Sequence, residues 1–301
     1  MDRLRRRTYL GLTMAGIHLI DTISVNKIVW LRSLPEDELG PSNRMIEELE
    51  TLQLDDGLAF EAITVSDRQE FLDTLASLAR DAARGVKPFL HFDCHGSAAD
   101  GLLLAPSGEH LSWSDLGEAL RAINVETGNN LCCLFAACHA LNYAKTLSIS
   151  HAAPFFILIA PPGEISVGTL EERMPLFYRR LHQTKHVTDC YDEVLRADMT
   201  MIHAKGIFAK ALAKYIRDYT GKKVADDRRG DLIPRWLEAR GITSPTVKDR
   251  KMARDALKAA LTPSQKTVDH FAGKFLIGRE PGVTFEQVVL MAAGGKALQK
   301  K

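Results

Sequence analysis

The chain has 301 residues, 46% of them hydrophobic and 26% charged, a balance that allows a real core and excludes a disordered or membrane-embedded class. Its net charge of +1 conceals a division. Residues 1–200 hold 18 Lys+Arg against 28 Asp+Glu, and residues 201–301 hold 21 against 10, which points to two units with different partners.

The basic start, Met1 to Arg7, followed by the apolar stretch Thr8 to Ile20, has the outline of a secretory leader. His18 and Asp21 interrupt it and no small-x-small site follows, so secretion is not expected. Residues 23–34 read as a strand stopped by Pro35 and a polar turn through Gly40-Pro41-Ser42. Helical spacing follows over 43–54, a strand over 59–65, and a helix capped by Ser66 that ends near Gly85. The apolar run 88–94 is of strand length, and residues 101–112 form a hairpin turning at Pro106-Ser107-Gly108. Ser112 or Ser114 caps a helix to Ile123. The strand 131–137 leads into a helix from His139 to Ser148, and a strand over 154–160 precedes a helix over 169–182. Beyond it, 189–218, 231–240, 246–260, 263–277 and 284–299 read as helices. Strands alternating with helices predict βαβ units and a mainly parallel sheet covered on both faces, followed by an α-helical region.

Two strands end in reactive side chains. Lys87 to Gly96 closes on His95-Gly96, and Asn130 to His139 closes on Cys138-His139. Carboxyl ends of strands are where α/β sheets build their sites. A thiol and an imidazole delivered there are the minimum equipment of a cysteine hydrolase. Cys132, Cys133 and Cys94 read as small buried hydrophobes, His91 as strand interior, His139 as first-turn helix and His151 as loop. Five cysteines without a disulfide-framework spacing favour a reducing, cytoplasmic compartment. A zinc site built from Cys94-His95 and Cys138-His139 is the competing chemistry. It is disfavoured because neither C-x-x-C nor H-x3-H occurs and sequence neighbours on a strand diverge. No cofactor or metal is expected.

Over residues 25–200 the ordered set resembles the caspase-like cysteine peptidases, closest to their CHAT branch. The set comprises His95-Gly96, the hairpin from Asp100-Gly-Leu-Leu-Leu, Ala136-Ala-Cys-His139, Ala160-Pro-Pro-Gly163 and a helix with Phe177-Tyr178-Arg179-Arg180-Leu181. The resemblance implies a three-layer α/β/α sandwich with a mainly parallel caspase-like sheet. It also implies a peptidase domain over 1–200, beside a basic helical domain over 201–301. Cys138 would then be the nucleophile, His95 the general base, and the N–H groups of Gly96 and Cys138 the oxyanion hole. Protein or peptide would be the substrate. Ala136 replaces the polar residue that relatives carry two positions before the nucleophile, and the Arg of Asp-specific members is absent around Val167-Gly168, so cleavage after Asp is disfavoured. Substrate contacts are expected from Glu164 and Ser166 in the loop 161–168. A catalytically silent scaffold is the alternative function.

The tail carries Lys222-Lys223, Arg228-Arg229, Lys248, Arg250-Lys251, Arg254 and Lys258. These suit a small anionic ligand such as a nucleotide, or an acidic partner protein. Trp236 is the sole aromatic between 220 and 260, so nucleic acid ranks lower. Neither a transmembrane segment nor a membrane partner is expected. A peptidase joined to such a module resembles signal-activated bacterial effectors of stress or anti-phage defence.

Overall fold

The computed structural model describes residues 8–14, 17–56, 58–219 and 222–294. Strands β1 (Thr8–Met14) and β2 (Ile17–Ile23) pair antiparallel as a separate two-stranded sheet. The apolar stretch weighed as a leader lies largely in this hairpin.

The main sheet begins at β3 (Lys27–Ser33). Helix α1 (Leu39–Asp56) crosses to β4 (Ala59–Thr64), and α2 (Arg68–Ala83) crosses back to β5 (Pro88–Ser97). Strands β6 (Gly101–Leu104) and β7 (Glu109–Leu111) form a hairpin on the end of β5, and α3 (Trp113–Glu126) leads to β8 (Cys132–Ala136). Strand β9 (Ile157–Ala160) lies parallel beside β8. The chain then continues through α4 (Val167–Thr184) and the short α5 (Val187–Cys190) to β10 (Thr200–His203), antiparallel on β9. Across the sheet the order is β10-β9-β8-β5-β3-β4, and every neighbouring pair except β10–β9 is parallel. The fold is therefore α/β with a mostly parallel mixed sheet, as the alternation of periods predicts.

Alternation along the strands divides the core into two clusters. Leu90, Phe92 and Cys94 of β5 join Phe71 and Leu75 of α2 and Leu116 and Leu120 of α3. Phe89, with Trp30 of β3, joins Met45 and Leu49 of α1 and Met174 and Phe177 of α4. Burial of each such large apolar side chain is worth about 1.5–3 kcal/mol. His91 follows the period onto the second face, stacked 3.5 Å from Trp30 and sharing a 2.7 Å hydrogen bond between Nδ1 and the Tyr178 hydroxyl.

Burial holds the His91 pKa well below its ordinary value, so the folded chain keeps this ring neutral where the unfolded chain protonates it. Below about pH 6.5 the unfolded state then binds more protons, and stability falls with decreasing pH by up to about 1.4 kcal/mol per unit from this group. Denaturant titrations between pH 7 and 5 should show that slope in the wild type and a shallower one in His91→Phe.

Several boundaries differ from the sequence reading. α1 starts at Leu39 and not after Ser42, because Pro41 sits in its first turn, where a missing N–H costs nothing. α2 is capped by Asp67, whose Oδ1 accepts from the Glu70 N–H at 2.8 Å, and Ser66 instead donates its N–H to the Glu70 carboxylate. The single helix expected over 189–218 divides. α5 passes into a π-helical turn at Tyr191–Leu195, the edge strand β10 follows, and α6 (Ala204–Tyr219) starts afresh. Four residues are too few to show a period of two, which is why β10 escaped notice.

The boundary expected at residue 200 falls inside the segment Thr200–His203 that pairs with β9. Beyond it, α6, α9 (Gln265–Phe275) and α10 (Phe285–Ala292) give Phe208, Leu212, Phe275 and Val288 to the same cluster as Met174 and Trp30. Polar links repeat the connection. Ala153 donates its N–H to Phe275 O at 2.9 Å, the Asn129 amide donates to Leu276 O at 3.0 Å, and Arg279 lies 4.2 Å over the Phe156 ring. α7 (Lys222–Glu238) and α8 (Val247–Leu261) instead pack mainly on each other, and α8 leaves Lys248, Arg250, Lys251, Arg254 and Lys258 exposed. The helix expected over 284–299 extends in part beyond the described residues. No described helix is long and apolar enough to cross a membrane.

Candidate functional site

His95 and Cys138 line one cleft, open to solvent, at the carboxyl ends of β5 and β8. The two strands are parallel neighbours, with Asp93 opposite Ala136, so the residues just beyond that pair emerge side by side. Cys138 is half-buried, whereas Cys94, Cys132, Cys133 and Cys190 are buried. Burial raises all four of those thiol pKa values, consistent with packing roles.

Gly96 belongs to β5 and abuts the segment that carries Cys138. A Cβ placed on it would lie 2.2 Å from the Cys138 carbonyl oxygen and 3.3 Å from the Cys138 nitrogen. Glycine is therefore required here by close approach of two main chains, not by an unusual φ. Gly96→Ala is expected to lower the unfolding free energy by about 1–3 kcal/mol, the usual cost of overpacking, readable in a thermal melt.

Beyond Cys138 the backbone departs from expectation. His139 takes a left-handed conformation, φ 61°, and a seven-residue 3-10 helix, Ala140–Thr146, replaces the predicted α-helix. The reason is anchorage on both sides. The His139 N–H is drawn to Gly163 O at 3.0 Å, and the buried Tyr143 packs onto Gly117 of α3, where a Cβ would lie 2.5 Å from its hydroxyl. A helix dipole behind Cys138 is thereby reduced to one short 3-10 segment. The same hydrogen bond pins the loop after β9 beside the segment that carries Cys138.

From that loop, Ile165 and Val167 line the cleft. The two residues expected to touch substrate are not among those lining this cleft: Glu164 is exposed, and Ser166 caps α4 by accepting the Thr169 N–H at 3.1 Å. His91 and His151 lie where expected, in the strand interior and on an exposed loop. Cys94 faces the α2–α3 cluster, while His95 opens into the cleft. Among the described residues, no group of three or more His, Cys, Asp or Glu is arranged to hold a metal ion.

The reading of the sequence missed two acids. Glu38, on the 3-10 turn Glu36–Glu38, puts Oε2 3.0 Å from His95 Nε2, with both side chains partly exposed. A carboxylate only accepts, so Nε2 carries the hydrogen and a neutral ring keeps its lone pair on Nδ1. Asp93 is buried at 4% exposure on the cleft lining. Its Oδ2 accepts from Ser42 Oγ at 2.7 Å and Trp30 Nε1 at 3.1 Å. Burial raises the Asp93 pKa, and those two hydrogen bonds oppose the rise. A thiol, an imidazole and an orienting carboxylate in one cleft are chemically sufficient for nucleophilic attack on an acyl carbon.

No model of a known protein family matches the chain, and no curated protein matches it.

Proposed function

We propose that the protein is a cysteine peptidase of the caspase-like type, built as a three-layer α/β/α sandwich, with Cys138 as nucleophile and His95 as base. The observation that carries this reading is the convergence of His95 and Cys138 on one cleft at the ends of adjacent parallel strands, with Gly96 pressed against Cys138. Cys138 Sγ adds to the scissile carbonyl carbon as its proton passes to His95 Nδ1. The peptide C–N bond breaks, and the imidazolium returns that proton to the leaving amine. Water then hydrolyses the thioester and restores the thiol. The N–H groups of Gly96 and Cys138 are the donors to the oxyanion. Glu38 acts as a positioning residue that fixes the tautomer through Nε2. Within this reading, the exposed cations of α8 receive an anionic activator or an acidic partner, which would suit an effector of stress or anti-phage defence.

The test is a peptide library offered to the full chain, with and without nucleotides, before and after alkylation of Cys138 by iodoacetamide. Cleavage lost in step with alkylation supports the peptidase. Cleavage that survives complete alkylation overturns Cys138 as the nucleophile, and none in any condition leaves the scaffold alternative.

A further inference from the structure

The cleft lined by His95 and Cys138 is apolar over much of its remaining lining and carries one buried acid. Met45 of α1, Leu170 of α4, Ile165 and Ala136 make the walls apolar, and the buried Asp93 carboxyl lies among them. Asp93 and His95 are two apart on β5, hence on one face and separated by one pleat repeat of about 6.6 Å. Ala136 stands opposite Asp93 in register, so β8 presents only a methyl group at that level. Both protein donors converge on Oδ2; among the described residues none is recorded on Oδ1. Among the described residues, no Lys or Arg side chain lines this cleft, and Glu38 adds a carboxylate to that of Asp93.

Resting on the peptidase reading, we infer that this recess receives a lysine or arginine side chain next to the scissile bond, with Asp93 as its specificity-determining residue. The apolar walls match a methylene stem, and Oδ1 accepts from the cationic head. A four-carbon stem bridges a distance of about one pleat repeat, which brings the substrate carbonyl level with His95 and Cys138. An acidic side chain would meet two carboxylates. A purely apolar one would bury Oδ1 without a donor. Discrimination of this kind, where the wrong ligand strands a buried polar group, reaches about 10⁴ in favourable cases.

Two measurements separate this inference from the reading beneath it. The first is protection of Cys138 from iodoacetamide by agmatine, which needs no turnover. Agmatine should slow alkylation of the wild type at least about 10-fold at saturation and leave the rate for Asp93→Asn unchanged. The second is kcat/KM for peptides that differ only in Arg, Lys, Leu or Asp before the scissile bond. The wild type should prefer Arg or Lys over Leu by about 100-fold or more, and Asp93→Asn should collapse that ratio towards one. Protection without cleavage of any peptide keeps the cation recess and ends the peptidase reading. Cleavage with no basic preference, or an equal fall for every peptide in Asp93→Asn, overturns the recess and keeps the peptidase. Neither protection nor cleavage overturns both.

Discussion

Cys138→Ala is expected to reduce peptide hydrolysis by about 10⁴-fold or more, and His95→Ala by nearly as much. The two losses should not multiply. A thiol without its base and a base without its thiol lack the same step, so the double variant should match the worse single one. Glu38→Gln is expected to be milder, about 10–100-fold in kcat with KM little changed, because Gln can still accept from Nε2 but can also present its amide and permit the wrong tautomer. A double-mutant cycle on kcat/KM checks the Cys138–His95 pair, and separate kcat and KM values check Glu38→Gln. Fully multiplicative effects of Cys138 and His95 would show that they act separately.

Truncation after residue 200 should yield no soluble folded protein. The cut removes most of β10, exposing the edge of β9, and strips Phe208, Leu212, Phe275 and Val288 from the cluster around Met174. It also deletes Leu276 O, the acceptor of the buried Asn129 amide, and Phe275 O, the acceptor of the Ala153 N–H. Burial of each large apolar group contributes about 1.5–3 kcal/mol, and a domain's whole stability is about 5–15 kcal/mol, so losing four is decisive. Substituting the exposed cations of α8 should leave the melting temperature within about 2 °C, since Ala253 and Leu257 supply that helix's buried contacts. Soluble expression and circular dichroism distinguish the two outcomes. A folded, active fragment 1–200 would restore the two-unit division suggested by the charges.

The elements that reach the sheet centre were legible because their runs are long and apolar: β5, β8, and the helices α2 and α4 with their three-and-four spacing. Strand ends followed, and with them His95 and Cys138. The Gly96 approach is written in the sequence only as a glycine; what it meets lies 42 positions away. Glu38 left no local signal, since an acidic turn before a helix reads as solvated surface. Asp93 did leave one. Two residues from His95 on a strand is the same face, and a carboxylate inside a run that is otherwise apolar must have partners. The charge division described composition faithfully but not packing: the cations of α8 lie outward, while α6, α9 and α10 of the same basic third complete the core.

β5 is one strand with two sets of partners. From Pro88 to Cys94 its pairings are parallel, with β3 and β8, while His95, Gly96 and Ser97 pair with the small hairpin β6–β7. In amide hydrogen exchange the strand should therefore split. Phe89 to Phe92 should exchange only in global unfolding, and residues 95–97 should exchange together with 101–104 through a smaller opening. The imidazole thus sits just past the seam between a slow block and a fast one. Its position answers to the hairpin while its foundation stays in the core.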